Sequence, residues 1–151
     1  SAENVITVLT KILTIDFKDY DIHIDFTSDA VVDGPSAGIS MAVALYSALT
    51  KQPVDNKIAM TGKISVNGVV RPIGGVIPKV RAAIRAGAKR ILIPTENWQD
   101  IFAASEFSEV EIIKIDNLKQ ALDQAVLKEQ VTSNQGLDVE IDLDSVAASV
   151  V

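Results

Sequence analysis

Two residues in this sequence break the rules of their surroundings, and together they could do chemistry: Ser36 and Lys79. Ser36 lies in the run Asp33-Gly34-Pro35-Ser36-Ala37-Gly38, just before Ile39, Ala42, Val43, Tyr46 and Leu49. Those apolar residues fall at three- and four-residue steps and predict a helix. A serine opening a helix is ordinarily a cap. Here proline takes the first helical position, because its missing N–H is one of the orphan donors anyway. Gly34 is then the cap, and Ser36 lies just inside the helix and projects towards its packed side. Free N–H groups and the positive dipole end at that place stabilise an anion. The oxyanion formed when a serine attacks a carbonyl is one such anion. Gly34 and Gly38 on either side leave room for a substrate backbone.

Lys79 is the second anomaly. Helix lysines are ordinarily solvated, and Arg81, Arg85 and Lys89 already mark a solvent row at four-residue steps. Lys79 aligns instead with Ala82, Ala83 and Ala86, a small-residue face expected to pack inward. It also follows Pro78 in a first helical turn, where the dipole disfavours positive charge. Burial and dipole both favour the neutral amine, the form that can take the proton of a serine hydroxyl. That is the serine–lysine version of a nucleophile with its base.

Several elements must position the pair. Val5, Leu9 and Ile12 predict a helix over 2–14, and the alternation from Tyr20 to Phe26 predicts a half-buried strand. The runs Ile58 to Val66 and Val69 to Ile73 flank Asn67-Gly68, a hairpin signal. A helix from Pro78 to about Ala86 closes at Gly87. Arg90 to Pro94 reads as a buried strand, Glu96 to Ser105 as a short helix, and Val110 to Ile115 as a strand. Asn117 caps a last helix running to Gln130. The alternating acidic residues Asp138, Glu140, Asp142 and Asp144 fit either a further strand or a solvated tail. The fold class expected is α+β, a mixed sheet with helices packed on it.

Composition excludes several functions. A length of 151 residues fits one domain. Without cysteine there is no disulfide or thiolate chemistry, and with His23 as the single histidine an imidazole-based zinc site is not expected. The net charge of −6 argues against a nucleic-acid surface. The apolar stretch from Ala37 to Thr50 is too short to span a bilayer. No export signal opens the chain, so a cytoplasmic location is expected. His23 reads as structural, and Trp98 as packing or an interface anchor.

At the two anomalous residues the sequence resembles the proteolytic domain of the Lon family of ATP-dependent proteases. The run from Asp33 to Gly38 is identical to that family's nucleophile motif. Thr61-Gly62, the hairpin through Gly68 and Pro72-Ile73-Gly74-Gly75 resemble the run preceding its lysine, and Lys79 follows Ser36 at the family's separation of 43 residues. The stretch Ala86 to Pro94 resembles its next helix–strand junction, and the resemblance covers roughly residues 1–128. Val76 and Arg71 are more similar to the membrane-associated or archaeal-type B branch than to the A branch.

The resemblance implies serine endopeptidase activity on unfolded or damaged polypeptides, with Ser36 acylated and Lys79 as general base and then acid. It implies that Thr61 lies near the dyad and holds the lysine amine, and that Asp33 and Gly34 flank the oxyanion region. It further implies a hexameric ring fed by an ATPase module. No Gly-x-x-x-x-Gly-Lys-Ser/Thr phosphate loop occurs, so ATP is expected only outside this chain and no cofactor within it. Residues 1–130 form the expected domain and 131–151 an acidic tail or extra strand; the strands that usually begin such a domain are expected to be missing. Lys63 stands where many relatives carry a glutamate. An alternative is a non-catalytic Lon-like scaffold, which would have no need of Ser36 or Lys79. A nucleotide site at Gly74-Gly75 is a weaker reading, because Lys79 is at the wrong spacing for a phosphate loop.

Overall fold

The computed structural model describes residues 2–14, 16–24, 34–127 and 149–150. Among the described residues, four strands run parallel in the order β5-β4-β1-β6: β1 (Ile58–Met60), β4 (Arg90–Pro94), β5 (Glu111–Ile115) and β6 (Ser149–Val150). A separate antiparallel pair joins β2 (Lys63–Ile64) to β3 (Val70–Arg71). The expected α+β mixture of parallel and antiparallel pairing is therefore present, shared between two sheets.

Period-two alternation decides what each face of the large sheet carries. Ile58, Met60 and Leu92 point to one side, where they meet α1 (Ala2–Leu13), α2 (Gly38–Thr50) and α4 (Leu118–Ala125). Ala59, Ile91 and Ile93 point to the other, where α3 (Val76–Arg85), Phe102 and Phe107 cover them. Fully burying an aliphatic side chain contributes about 1.5–3 kcal/mol, and Val5, Leu9, Ile39, Met60, Leu92 and Ile93 are all buried. Ser36 precedes a helix on the first face and Lys79 rides a helix on the second.

Local chemistry sets the ends of these elements. Gly87 (φ 89) follows α3, with its N–H donating to the Ile84 carbonyl (2.9 Å) and the Ala88 N–H to Ala83 (3.1 Å). That is the paired bonding of a glycine-terminated helix. The Asn117 side chain caps α4 by accepting from the Gln120 N–H at 3.0 Å. At the hairpin, Gly68 (φ 77) donates to Ser65 at 2.9 Å, so the tip is a three-residue loop with glycine in its left-handed position.

Five sequence-based boundaries need correction. Residues Tyr20 to Ile24 form no strand: an alternating pattern needs a partner edge, and Tyr20 and Ile24 stay exposed (Asp25 and Phe26 lie outside the described residues). The run Ile58 to Val66 is two strands in different sheets, parted at Thr61-Gly62, where the chain crosses beneath α2. Glu96 to Ser105 is not one helix but is broken among three short 3-10 turns, Thr95–Asn97, Asp100–Ala103 and Ser105–Phe107. Trp98 (φ −60, ψ 136) and Gln99 are extended between the first two. The third helix starts at Val76, two residues before Pro78, because Gly75 adopts the left-handed conformation (φ 65) that turns the chain into it. The last helix stops at Ala125, where Val126 leaves to bridge Val54. The acidic alternation from Asp138 to Asp144 lies outside the described residues.

Candidate active site

The serine is presented by a tight 3-10 turn, Pro35–Ala37, that runs directly into α2. Gly34 caps it at φ 97 and ψ 168, a backbone region that side chains avoid, with Pro35 in the first position as expected. Every residue from Gly38 to Val43 is buried, so the turn is anchored by a helix enclosed at its beginning.

The crossover at Thr61-Gly62 fixes this turn through the main chain. Gly62 donates to the Ser36 carbonyl at 2.8 Å, and the Ile39 N–H donates back to the Gly62 carbonyl at 3.1 Å. The Thr61 hydroxyl donates to the same Ser36 carbonyl at 3.4 Å, and so reaches the nucleophile's turn. One helical turn on, the buried Ser40 hydroxyl donates to the Met60 carbonyl at 3.0 Å. This closeness forbids side chains: a Cβ on Gly38 would lie 3.0 Å from the Ile64 nitrogen, and one on Gly62 would lie 2.8 Å from Val70 Cγ1.

The lysine arrives differently. Val76, Val80 and Ala83 form the buried stripe of α3, while Arg81 and Arg85 face solvent. Lys79 is half-buried at the rim of that stripe. Of the small residues expected to pack inward with it, Ala83 is buried and Ala82 half-buried, but Ala86 is exposed because the helix ends there. The Lys79 Nζ donates to Ser36 Oγ at 3.3 Å. Two groups 43 residues apart in the chain and on opposite faces of the sheet are thus in contact.

The structure brings Ser36, Lys79 and Thr61 into one cluster, with Gly34 capping the turn that carries Ser36; Asp33 lies outside the described residues. The sequence reading missed Gly62, Ser40 and Asn97. A serine inside an apolar helical stripe was a usable signal for Ser40, whereas the partners of Gly62 and Asn97 lie far along the chain. The Asn97 carboxamide bonds both polar groups of Ile73, accepting from its N–H at 2.8 Å and donating to its carbonyl at 2.9 Å. No helix among the described residues is long and apolar enough to cross a membrane.

Comparison with known proteins shows the family. The family model of the Lon protease (S16) C-terminal proteolytic domain matches residues 3–128. Lon protease 2 of Bacillus subtilis (strain 168) is 47% identical over 146 residues, covering 97% of this chain and 26% of that protein. The archaeal Lon protease of Pyrococcus abyssi (strain GE5 / Orsay) is 40% identical over 129 residues, covering 84% of this chain and 13% of that protein. The Lon protease of Clostridioides difficile (strain 630) is 46% identical over 115 residues, covering 74% and 15%. The chain thus spans about a quarter or less of the length of these curated relatives. With its match extending over residues 3–128, this chain belongs to the Lon protease (S16) family, in the C-terminal proteolytic domain.

Proposed function

We propose that residues 1–130 act as a serine endopeptidase domain that hydrolyses peptide bonds of unfolded polypeptides, with Ser36 as nucleophile and Lys79 as general base. The observation that carries this reading is the 3.3 Å approach of Lys79 Nζ to Ser36 Oγ. In the first step Ser36 Oγ attacks the scissile carbonyl carbon while its proton passes to the Lys79 amine. The resulting oxyanion lies against the start of the helix, where Pro35 has no N–H and the Ser36 amide is the first donor of the turn. The Lys79 ammonium then returns the proton to the leaving amine, and the C–N bond breaks to leave an ester on Ser36. Water, deprotonated by the same amine, hydrolyses that ester and restores both groups.

Among the described residues, a Cβ placed on Gly34 would meet nothing within 4 Å. Thr61 acts by holding the Ser36 carbonyl. Asp33 belongs to the oxyanion region on the strength of the motif alone. A homo-hexameric ring, a cytoplasmic location and an ATP-driven unfolding module outside this chain complete the proposal, resting on the family to which the chain belongs.

The test is cleavage of a fluorogenic peptide and of unfolded casein by the wild-type chain, Ser36→Ala and Lys79→Ala. Both variants are expected to fold and to lose cleavage, and a peptide boronate is expected to bind only while Ser36 is present. Near-normal turnover by Lys79→Ala would refute the dyad.

A further inference from the structure

We propose that Asn97 is a positioning residue for Lys79, acting through the segment that leads into α3; this rests on the dyad reading above. Residues 72–75 connect β3 to the lysine helix, and two features leave that connection weakly fixed by itself. Gly74 and Gly75 are both exposed, and among the described residues a Cβ on Gly74 would meet nothing within 4 Å. The helix has no side-chain cap at Gly75, and its first main-chain bond, from the Lys79 N–H to the Gly75 carbonyl, is long at 3.3 Å.

Asn97 supplies the missing constraint. Its carboxamide pairs with the Ile73 peptide as a neighbouring strand would, with Oδ1 accepting from the N–H at 2.8 Å and Nδ2 donating to the carbonyl at 2.9 Å. A side-chain amide is suited to this, since one end accepts and the other donates in a plane. Both bonds lie in a partly buried place, and Ile73 itself is buried in the core beneath α3. The clamp therefore fixes the chain immediately before the diglycine.

Its other end is equally informative. Asn97 closes the short turn Thr95–Asn97, which directly follows β4. The same strand accepts, at the Leu92 carbonyl, the Thr61 N–H (3.1 Å), and Thr61-Gly62 in turn holds the Ser36 carbonyl. One strand is thus the common reference for both halves of the dyad, through main-chain bonds on the serine side and through Asn97 on the lysine side. A displacement of about 1 Å between reacting groups can cost on the order of 10²-fold in rate. The variants that remove the clamp should show such a loss in the chemical step.

The experiment compares kcat and KM for a fluorogenic peptide, with urea midpoints, in the wild type, Asn97→Ala, Asn97→Asp, Ser36→Ala and Lys79→Ala. Asn97→Ala is expected to lower kcat by roughly 10- to 100-fold with KM changed less than about twofold, and with the protein still folded in buffer. Asn97→Asp keeps the shape and the acceptor for the Ile73 N–H but loses the donor, so its kcat should fall between the two. A purely structural role would instead lower active protein in step with folded protein and leave kcat per folded molecule unchanged. That result, or wild-type kcat in Asn97→Asp, overturns the proposal. If Asn97→Ala fails to fold, the Asn97→Asp value decides. If Ser36→Ala and Lys79→Ala are inactive while both Asn97 variants keep full kcat, only the positioning role fails. If the wild type does not cleave, or Lys79→Ala does, the dyad reading fails and takes this proposal with it.

Discussion

The two halves of the site are held in contrasting ways. On the serine side, the chain crossing at Thr61-Gly62 ties the nucleophile turn by main-chain bonds, and the helix behind it is buried from Gly38 to Val43. On the lysine side, a helix with three buried residues and a solvent-facing arginine row delivers a long, flexible side chain from its rim. The serine hydroxyl is thus fixed by the backbone, whereas the amine depends on where its helix sits. The difference teaches that substitutions should act on the serine half through packing and on the lysine half through orientation.

Removing the reacting groups gives the largest effects and tests whether the halves are one unit. Ser36→Ala and Lys79→Ala are each expected to lower kcat by at least about 10³-fold, and the double variant should be no slower than either alone. Losses that multiplied in the double variant would mean that each residue acts without the other. Single-turnover rates on a peptide substrate measure this directly.

The next pair of variants separates packing from backbone orientation. In Gly62→Ala the new methyl would lie 2.8 Å from Val70 Cγ1, under a crossover bonded on both sides to the nucleophile turn. Overpacking of this kind costs about 1–3 kcal/mol, so the urea midpoint should drop and activity with it. In Gly75→Ala the new Cβ meets only Pro78 Cγ, at an ordinary 3.7 Å, but the residue must keep φ 65. The strain is about 1–2 kcal/mol, and it is relieved by turning the start of α3. Gly75→Ala should therefore lose more activity than its stability loss explains, and Gly62→Ala should not. Equal ratios of activity loss to stability loss would erase the contrast.

Legibility from sequence followed the same divide. Ser36, Lys79, the Gly34-Pro35 start, the Asn67-Gly68 hairpin and the Gly87 stop were readable because each rests on the chemistry of adjacent residues. The split at Thr61-Gly62 was not, because Ile58 to Val66 is a plausible single strand until another element binds its middle. Trp98 and Phe102 are spaced as on a helix, yet Asn97 is committed to Ile73, and the Trp98 ring contacts Phe102 (5.7 Å) and the Lys114 amine (5.0 Å). Those contacts override the local preference. The apparent strand from Tyr20 failed for a related reason, since alternation states which face is apolar but not whether an edge receives it. The pairing of Ser36 with Lys79 follows from chemistry, while the bonds that enforce it across the sheet are tertiary throughout.

The smallest effect tests whether the shared strand can be perturbed away from the dyad without reaching it. Arg90 opens β4 and Asp55 precedes β1, at the ends of those strands remote from Thr61. The Lys57 N–H, at 2.8 Å, does most to hold the Asp55 carboxyl below the usual carboxylate range; the Arg90 guanidinium, also at 2.8 Å, adds to it. Because folding lowers this pKa, the charged form is the one the fold favours. The stabilisation is therefore complete above the unfolded value of about 3.9 and disappears as pH falls through the lower, folded value. The pair remains partly exposed, so its contribution is about 1 kcal/mol or less. Asp55→Asn should lower the urea midpoint slightly at neutral pH and flatten its decline in acid, with kcat per folded molecule unchanged at neutral pH. A fall in kcat at full foldedness would show instead that strain at the start of β4 reaches its far end, and that the two halves of the site are coupled through the whole strand.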